Sequence, residues 1–191
     1  MNELYEKLRK IKEELPELPS IWGVEISGGE IIMMARPDNR HEFIARRVQR
    51  QLATQIDEES GLDAYTGPEI ENPGLGKNRK PDVLVIPERA LLREGNSVRP
   101  EDVEIVFEVV SVSNPENDYA GKIRDYAAMN IPWYVIIDPR TGTGLVQSGP
   151  DVRGDASSYR TRTTFAFGEV VEAAGYRIST AVFPTHDSSA A

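Results

Sequence analysis

Two acids interrupt the most apolar stretches of this chain, and a lysine follows them. The first stretch reads Lys80-Pro81-Asp82-Val83-Leu84-Val85-Ile86, and the second runs from Asp102 through Ile105-Val106-Phe107-Glu108-Val109-Val110. An ionised carboxylate inside an apolar sheet is costly unless a cation or a proton neutralises it. Asp82 and Glu108 therefore call for partners. Mg²⁺, or Mn²⁺ in its place, is an economical one, since it is commonly held by one or two carboxylates together with waters and phosphate oxygens. The carbonyl of Val109, next to Glu108 on the same strand, is a further candidate oxygen ligand. Lys122, in a helical segment that starts near Asn114, supplies the positive charge that stabilises a developing oxyanion. Two carboxylates, a divalent ion and a lysine are the parts of metal-assisted phosphodiester hydrolysis.

Blander readings compete with this one. Glu108 and Lys122 could form a buried ion pair with no metal at all, and Asp82 could be a strand-entry residue bonded to nearby backbone. Asp118 and Asp125 read as solvated helix positions, with Asp118 at i, i+4 spacing to pair with Lys122. Other chemistries lack parts. Gly74-Leu75-Gly76-Lys77 looks like a fragment of a phosphate loop, but Glu71 stands where its first glycine belongs and Asn78 where Ser or Thr would bind Mg²⁺. The two histidines, His41 and His186, have no metalloprotease spacing.

The elements that must position these residues follow from periodicity. Leu4, Leu8, Ile11 and Leu15 predict an amphipathic helix ended by Pro16 and Pro19. Residues 21–27 and 30–35 predict a hairpin around Gly28-Gly29. Residues 39–56 predict a second helix with Phe43, Ile44, Val48, Leu52 and Ile56 inward. A strand is expected over 62–66, a loop over 67–80, strands around Asp82 and Glu108, and a helix from Asn114, capped by serine or asparagine with Pro115 in its first turn, to about Met129. A strand then follows over 133–137. After Gly142 the runs are short and alternating, as in added antiparallel strands, and the tail 186–191 is small and polar. Apolar strands alternating with helices predict an α/β fold with a mixed central sheet flanked by helices.

At 191 residues, with 39% hydrophobic and 28% charged residues, the chain suits one globular domain. We divide it into an N-terminal helix and hairpin (about 1–36), a core (about 37–140) and C-terminal strands (about 141–184). The absence of cysteine excludes disulfides and thiolate chemistry and fits a reducing cytoplasm. No run has the length or apolarity of a signal peptide or a membrane span, so no membrane partner is expected. The net charge of −9 argues against wholesale binding of polyanions, but its distribution is uneven. Arg36, Arg40, Arg46, Arg47 and Arg50 cluster in one segment, and Lys77, Arg79 and Lys80 directly precede Asp82. The second cluster is placed to hold substrate phosphates.

The order Arg79-Lys80-Pro81-Asp82-Val83, Phe107-Glu108-Val109-Val110-Ser111-Val112-Ser113-Asn114, Lys122 with Tyr126, and Ile131-Pro132-Trp133-Tyr134-Val135-Ile136-Ile137-Asp138-Pro139 resembles the Uma-two family of restriction endonucleases, in the PD-(D/E)XK nuclease superfamily. The resemblance implies a restriction-endonuclease-like core and a Mg²⁺- or Mn²⁺-dependent endonuclease acting on DNA, with Asp82 and Glu108 as metal ligands. The chain departs from the superfamily pattern at Val110, where lysine is expected, and Lys122 matches a lysine shifted to the next helix. The resemblance further implies that His41 and Glu42 lie near the metal. Cutting both strands of a duplex needs two sites, so a homodimer is expected. The rival of a different class is a nuclease-fold protein without catalysis, acting as a DNA-binding or protein-interaction module.

Overall fold

The computed structural model describes residues 2–16, 19–111 and 117–185. Helix α1 (Glu3–Glu14) begins where Asn2 accepts a hydrogen bond from the Tyr5 amide and ends where Leu15 turns extended ahead of Pro16. Its docking differs from the expectation. Leu4 and Ile11 are 52% and 48% exposed, so the apolar stripe is not the buried face. Buried Tyr5 donates its hydroxyl to Glu71 Oε1 at 2.6 Å, and Lys12 donates to Glu69 Oε2 and Asn78 Oδ1 at 2.5 and 2.7 Å. The helix meets a polar strand row, which charged and phenolic groups satisfy better than leucines.

Strands β1 (Ile21–Ser27) and β2 (Glu30–Ala35) form the expected hairpin, with Gly28 and Gly29 at φ of 61° and 77°. Two positive φ values in a two-residue turn match the twist of the flanking strands. Helix α2 (Asn39–Ala53) is capped by Asp38, whose carboxylate accepts from the His41 amide at 2.9 Å.

Strand β3 is Leu62–Tyr65. The expected loop over 67–80 is instead a second hairpin: β4 (Glu69–Asn72) pairs antiparallel with β5 (Lys77–Arg79), Ile70 opposite Arg79. Glycine and proline mark only its turn, and charged side chains that the interior neutralises conceal the strands. The chain continues through β6 (Val83–Pro87), β7 (Ser97–Val98) and β8 (Ile105–Val109). A π-helical turn (Asn117–Gly121) leads into α3 (Lys122–Ala128). The capping residues expected at 113–115 and the polar tail at 186–191 lie outside the described residues. Strands β9 (Trp133–Asp138), β10 (Thr143–Asp151) and β11 (Ser158–Ala166) form a meander, and β12 (Val170–Ala173) pairs with β13 (Tyr176–Ser179).

Two sheets result. One has the order β2-β1-β5-β4-β7 and the other β11-β10-β9-β8-β6-β3. The second is mixed, since β8 and β9 run parallel and the remaining pairs antiparallel. Its central strands β6, β8 and β9 are apolar on both faces because both are covered, whereas edge strand β11 is largely exposed. Val83, Val85, Ile105, Phe107 and Val109 pack with Ile44, Val48 and Leu52 of α2. Leu84, Ile86, Val106 and Val110 pack on the opposite face with Tyr126 of α3. Glu108 falls between Val106 and Val110 in the two-residue period of the strand, so it points to the α3 side. The fold is α/β, with mixed sheets flanked by helices and antiparallel strands added at the C-terminal edge.

Candidate active site

A cleft of about 270 Å³ opens where the β1–β2 hairpin, the start of α2, the ends of β6 and β8 and the π-helical turn converge, and Asp82, Glu108, Val109 and Lys122 all line it. Asp82 is 6% and Glu108 1% exposed. One oxygen of Asp82, Oδ2, accepts from the Val109 amide at 2.7 Å and meets His41 Nε2 at 3.1 Å. Glu108 accepts from the Tyr126 hydroxyl at 2.6 Å through Oε1 and meets Lys122 Nζ at 2.8 Å through Oε2. Lys122 also contacts Asp118 Oδ1 at 3.0 Å, one helical turn back across the π-helical segment.

Charge sets the protonation of these groups. Burial alone would raise Asp82, but the His41 charge and hydrogen bond, Lys122 and the Val109 amide outweigh it and hold the carboxyl below its usual range. Burial would lower His41, and the Asp82 charge and hydrogen bond outweigh it and raise the imidazole. Glu108 goes the other way: burial pushes it well above its usual range, Lys122 opposes, and the Asp82 and Asp118 charges add to the rise. Asp118 is raised by burial too, against the pull of Lys122. Lys122 overcomes its own burial through Asp118 and Glu108 and is held firmly protonated. It is a fixed cation, suited to stabilising negative charge and unsuited to accepting a proton.

The sequence-derived site residues divide into three groups. Asp82, Glu108, Val109, Lys122 and His41 come together in this cleft. Glu42 is exposed and borders an adjoining cleft instead. Lys77 and Arg79, expected to face substrate phosphates, lie inside the protein. Arg79 is 1% exposed and donates to Glu25 Oε2 and Asp125 Oδ2, each at 2.6 Å, while Lys77 pairs with Asp125. Asp125 also accepts from Ser27, and Asn117 from Arg79 at 3.1 Å. A polyanion cannot reach these two cations. Of the three, only Lys80 remains at a cleft surface.

Asp118 and Asp125 are likewise buried, correcting their expected solvated positions. The i, i+4 spacing of Asp118 and Lys122 was the available signal for one. For the other, the partners come from β1 and β5, remote in sequence. Glu25, buried on β1 and accepting from the Lys80 amide at 2.9 Å, was not singled out; an acid inside the apolar run of β1 was its only mark. Trp22 was missed as well, since an aromatic residue on a strand is unremarkable until its neighbours are known.

Both Glu108 oxygens are engaged, Oε1 by the Tyr126 hydroxyl and Oε2 by Lys122, so a cation in this cleft would compete with Lys122 for Glu108. Asp82 and Glu108 offer carboxylate oxygens in one cleft beside the Val109 backbone. Among the described residues no group of three or more His, Asp or Glu forms a ready-made cation cage. Two carboxylates supplemented by water is the arrangement Mg²⁺ commonly accepts.

The profile of the Uma2 family, described as "Putative restriction endonuclease", matches residues 12–179, and the chain belongs to that family. Among solved structures, it is similar to a putative nuclease belonging to DUF820 from Anabaena variabilis ATCC 29413, with a TM-score of 0.64 and 17% identity over 89% of this chain and 88% of that one. At that identity the likeness is one of fold. No curated protein matches the chain.

Proposed function

We propose that this protein hydrolyses phosphodiester bonds in DNA with the help of Mg²⁺ or Mn²⁺. The observation that carries the reading is the meeting of Asp82, Glu108 and Lys122 in one cleft, from a strand entry, a central strand and a helix far apart in sequence. The membership of the Uma2 family and the nuclease-fold neighbour favour the same class of reaction. Asp82 and Glu108, with the Val109 carbonyl, would hold the ion. When bound, such an ion acidifies water and polarises the scissile phosphate. Lys122, held protonated between Glu108 and Asp118, stabilises charge on the phosphate in the transition state. His41 keeps Asp82 ionised and oriented, and Tyr126 does the orienting for Glu108.

The Lys122–Glu108 contact at 2.8 Å favours a second reading, a non-catalytic nucleic-acid or protein-binding module in which that pair is structural. Incubation of the protein with plasmid and single-stranded DNA in Mg²⁺ or Mn²⁺, beside Glu108→Ala purified identically, separates the two. Metal-dependent cleavage absent from the variant supports the nuclease. Equal absence of cleavage in both, on several substrates, supports the binding module.

A further inference from the structure

The acid cleft does not end at the acids. A second cleft of about 280 Å³ adjoins it, and Trp22, His41 and Asp82 line both. A third, of about 500 Å³, continues the groove, sharing Thr66, Gly67 and Lys80 with the second. The three form a path that starts at Asp82 and Glu108, passes between β1 and α2 and runs toward β7.

The junction of the first two clefts has a particular chemistry. Trp22 of β1 is half-buried and borders both. The Lys80 ammonium sits 4.3 Å from the centroid of its ring and donates to the Trp22 carbonyl at 3.3 Å. Among the described residues Lys80 has no carboxylate partner for that ammonium, in contrast to Lys77 and Arg79. Arg46 lines the second cleft from α2, is exposed, and among the described residues has only the Gln49 side chain as partner, at 2.7 Å. An aromatic ring fixed by a cation, with the Arg46 guanidinium in the same cleft beside Glu42 and the acids directly adjoining, is a combination that holds a single strand. The ring takes a base face while the cations take phosphates. A duplex offers no such face, because its bases already stack on one another, and a stacking surface beside the acids would then have nothing to bind.

We propose that the groove takes an unpaired stretch of DNA, with one base stacked on Trp22 and the adjoining phosphates against Lys80 and Arg46. The strand delivered to Asp82 and Glu108 is therefore single. This rests on the nuclease reading for what happens at the acids, but the binding is independent of any chemistry there.

The test is made without metal, in EDTA. Trp133→Phe leaves Trp22 as the only tryptophan of the two in the chain. A fluorescein-labelled oligothymidylate should quench Trp22 emission and bind at least about fivefold more tightly than a blunt duplex of equal length, with Trp22→Leu losing at least about fivefold, the lower end of a single base–aromatic stack. Trp22→Phe, which keeps a ring, should retain most of the affinity. Lys80→Met should weaken binding and make it less dependent on salt. Absence of quenching, a duplex bound as tightly as the single strand, or unchanged affinity in a folded Trp22→Leu protein each overturns the proposal. Should Trp22→Leu fail to fold, the quenching in Trp133→Phe decides. A parallel cleavage assay in Mn²⁺ separates the two ideas. Trp22-dependent binding without cleavage sinks the nuclease and keeps the single-strand groove; Glu108-dependent cleavage without Trp22-dependent binding does the reverse.

Discussion

Two ionic clusters are buried in this molecule side by side, and they are built to opposite rules. Behind the cleft, Glu25 and Asp125 are matched by Arg79 and Lys77, with Ser27 and Asn117 filling the remaining hydrogen bonds. In front, among the described residues, the cationic partners of Asp82, Glu108 and Asp118 are Lys122 and His41. Burial would raise Asp125, yet the Arg79 charge and the Lys77 and Ser27 hydrogen bonds hold it below its usual range. Glu108 is driven well above its own. The balanced cluster is a clamp that joins β1, β5 and α3 at neutral pH. The acid-rich one bears a charge cost that a clamp would have no reason to keep, and it lines a cleft. The difference distinguishes a charge network that is internally balanced from one that carries an excess of acid when both are equally buried.

Breaking the clamp should have the largest effect on stability. Arg79→Ala removes the cation paired with buried Glu25 and one of those paired with Asp125, and we expect a loss of about 3–5 kcal/mol in denaturant unfolding; a loss no greater than that of a surface substitution would remove the distinction between the clusters. Asp125→Asn should cost less, about 1–3 kcal/mol, because it deletes a charge while keeping part of the hydrogen bonding. The same residue sets an acid limb. A carboxyl whose folded pKa is depressed contributes stability above its unfolded pKa and loses it as pH falls through the folded one. Unfolding measured against pH should therefore lose stability on acidification in the wild type, and the slope should be shallower in Asp125→Asn. In the front cluster Asp82, also held below its usual range, shares that acid limb, whereas Glu108 should respond with the opposite sign. Glu108 has a raised pKa, so its ionised form is disfavoured in the folded state, and Glu108→Gln should leave stability at neutral pH unchanged or raise it while removing activity. A clear destabilisation by Glu108→Gln would mark the front cluster as a second clamp.

The legible parts of this molecule are those where a charge breaks an apolar run. Asp82 and Glu108 stand out for that reason, the β1–β2 hairpin follows from its glycines, and Ile44, Val48 and Leu52 of the expected α2 stripe are buried, whereas Phe43 is 41% exposed and Ile56 lies beyond the helix end at Ala53. The clamp was hidden because each of its members looks solvated alone. Asp125 lies on a charged helix, and Lys77 and Arg79 sit in a glycine- and proline-rich stretch; only the pairing of β1 with β5 and the docking of α3 bring them together. Helix α1 misleads for a related reason. Its leucine spacing is real, but a polar strand row lies beneath it, so Tyr5 and Lys12 anchor it.

The central claim is that the acid-rich cluster is a divalent-cation site serving phosphodiester hydrolysis. Calorimetric titration of the metal-free protein with Mn²⁺, in two buffers of different ionisation enthalpy, tests it most directly. Because Glu108 is raised toward protonation, ion binding should release a proton, tighten as pH rises, and disappear in both Asp82→Asn and Glu108→Gln. Mn²⁺ binding that survives both substitutions, or no binding to the folded wild type, would contradict the claim and leave Glu108 and Lys122 as a structural pair.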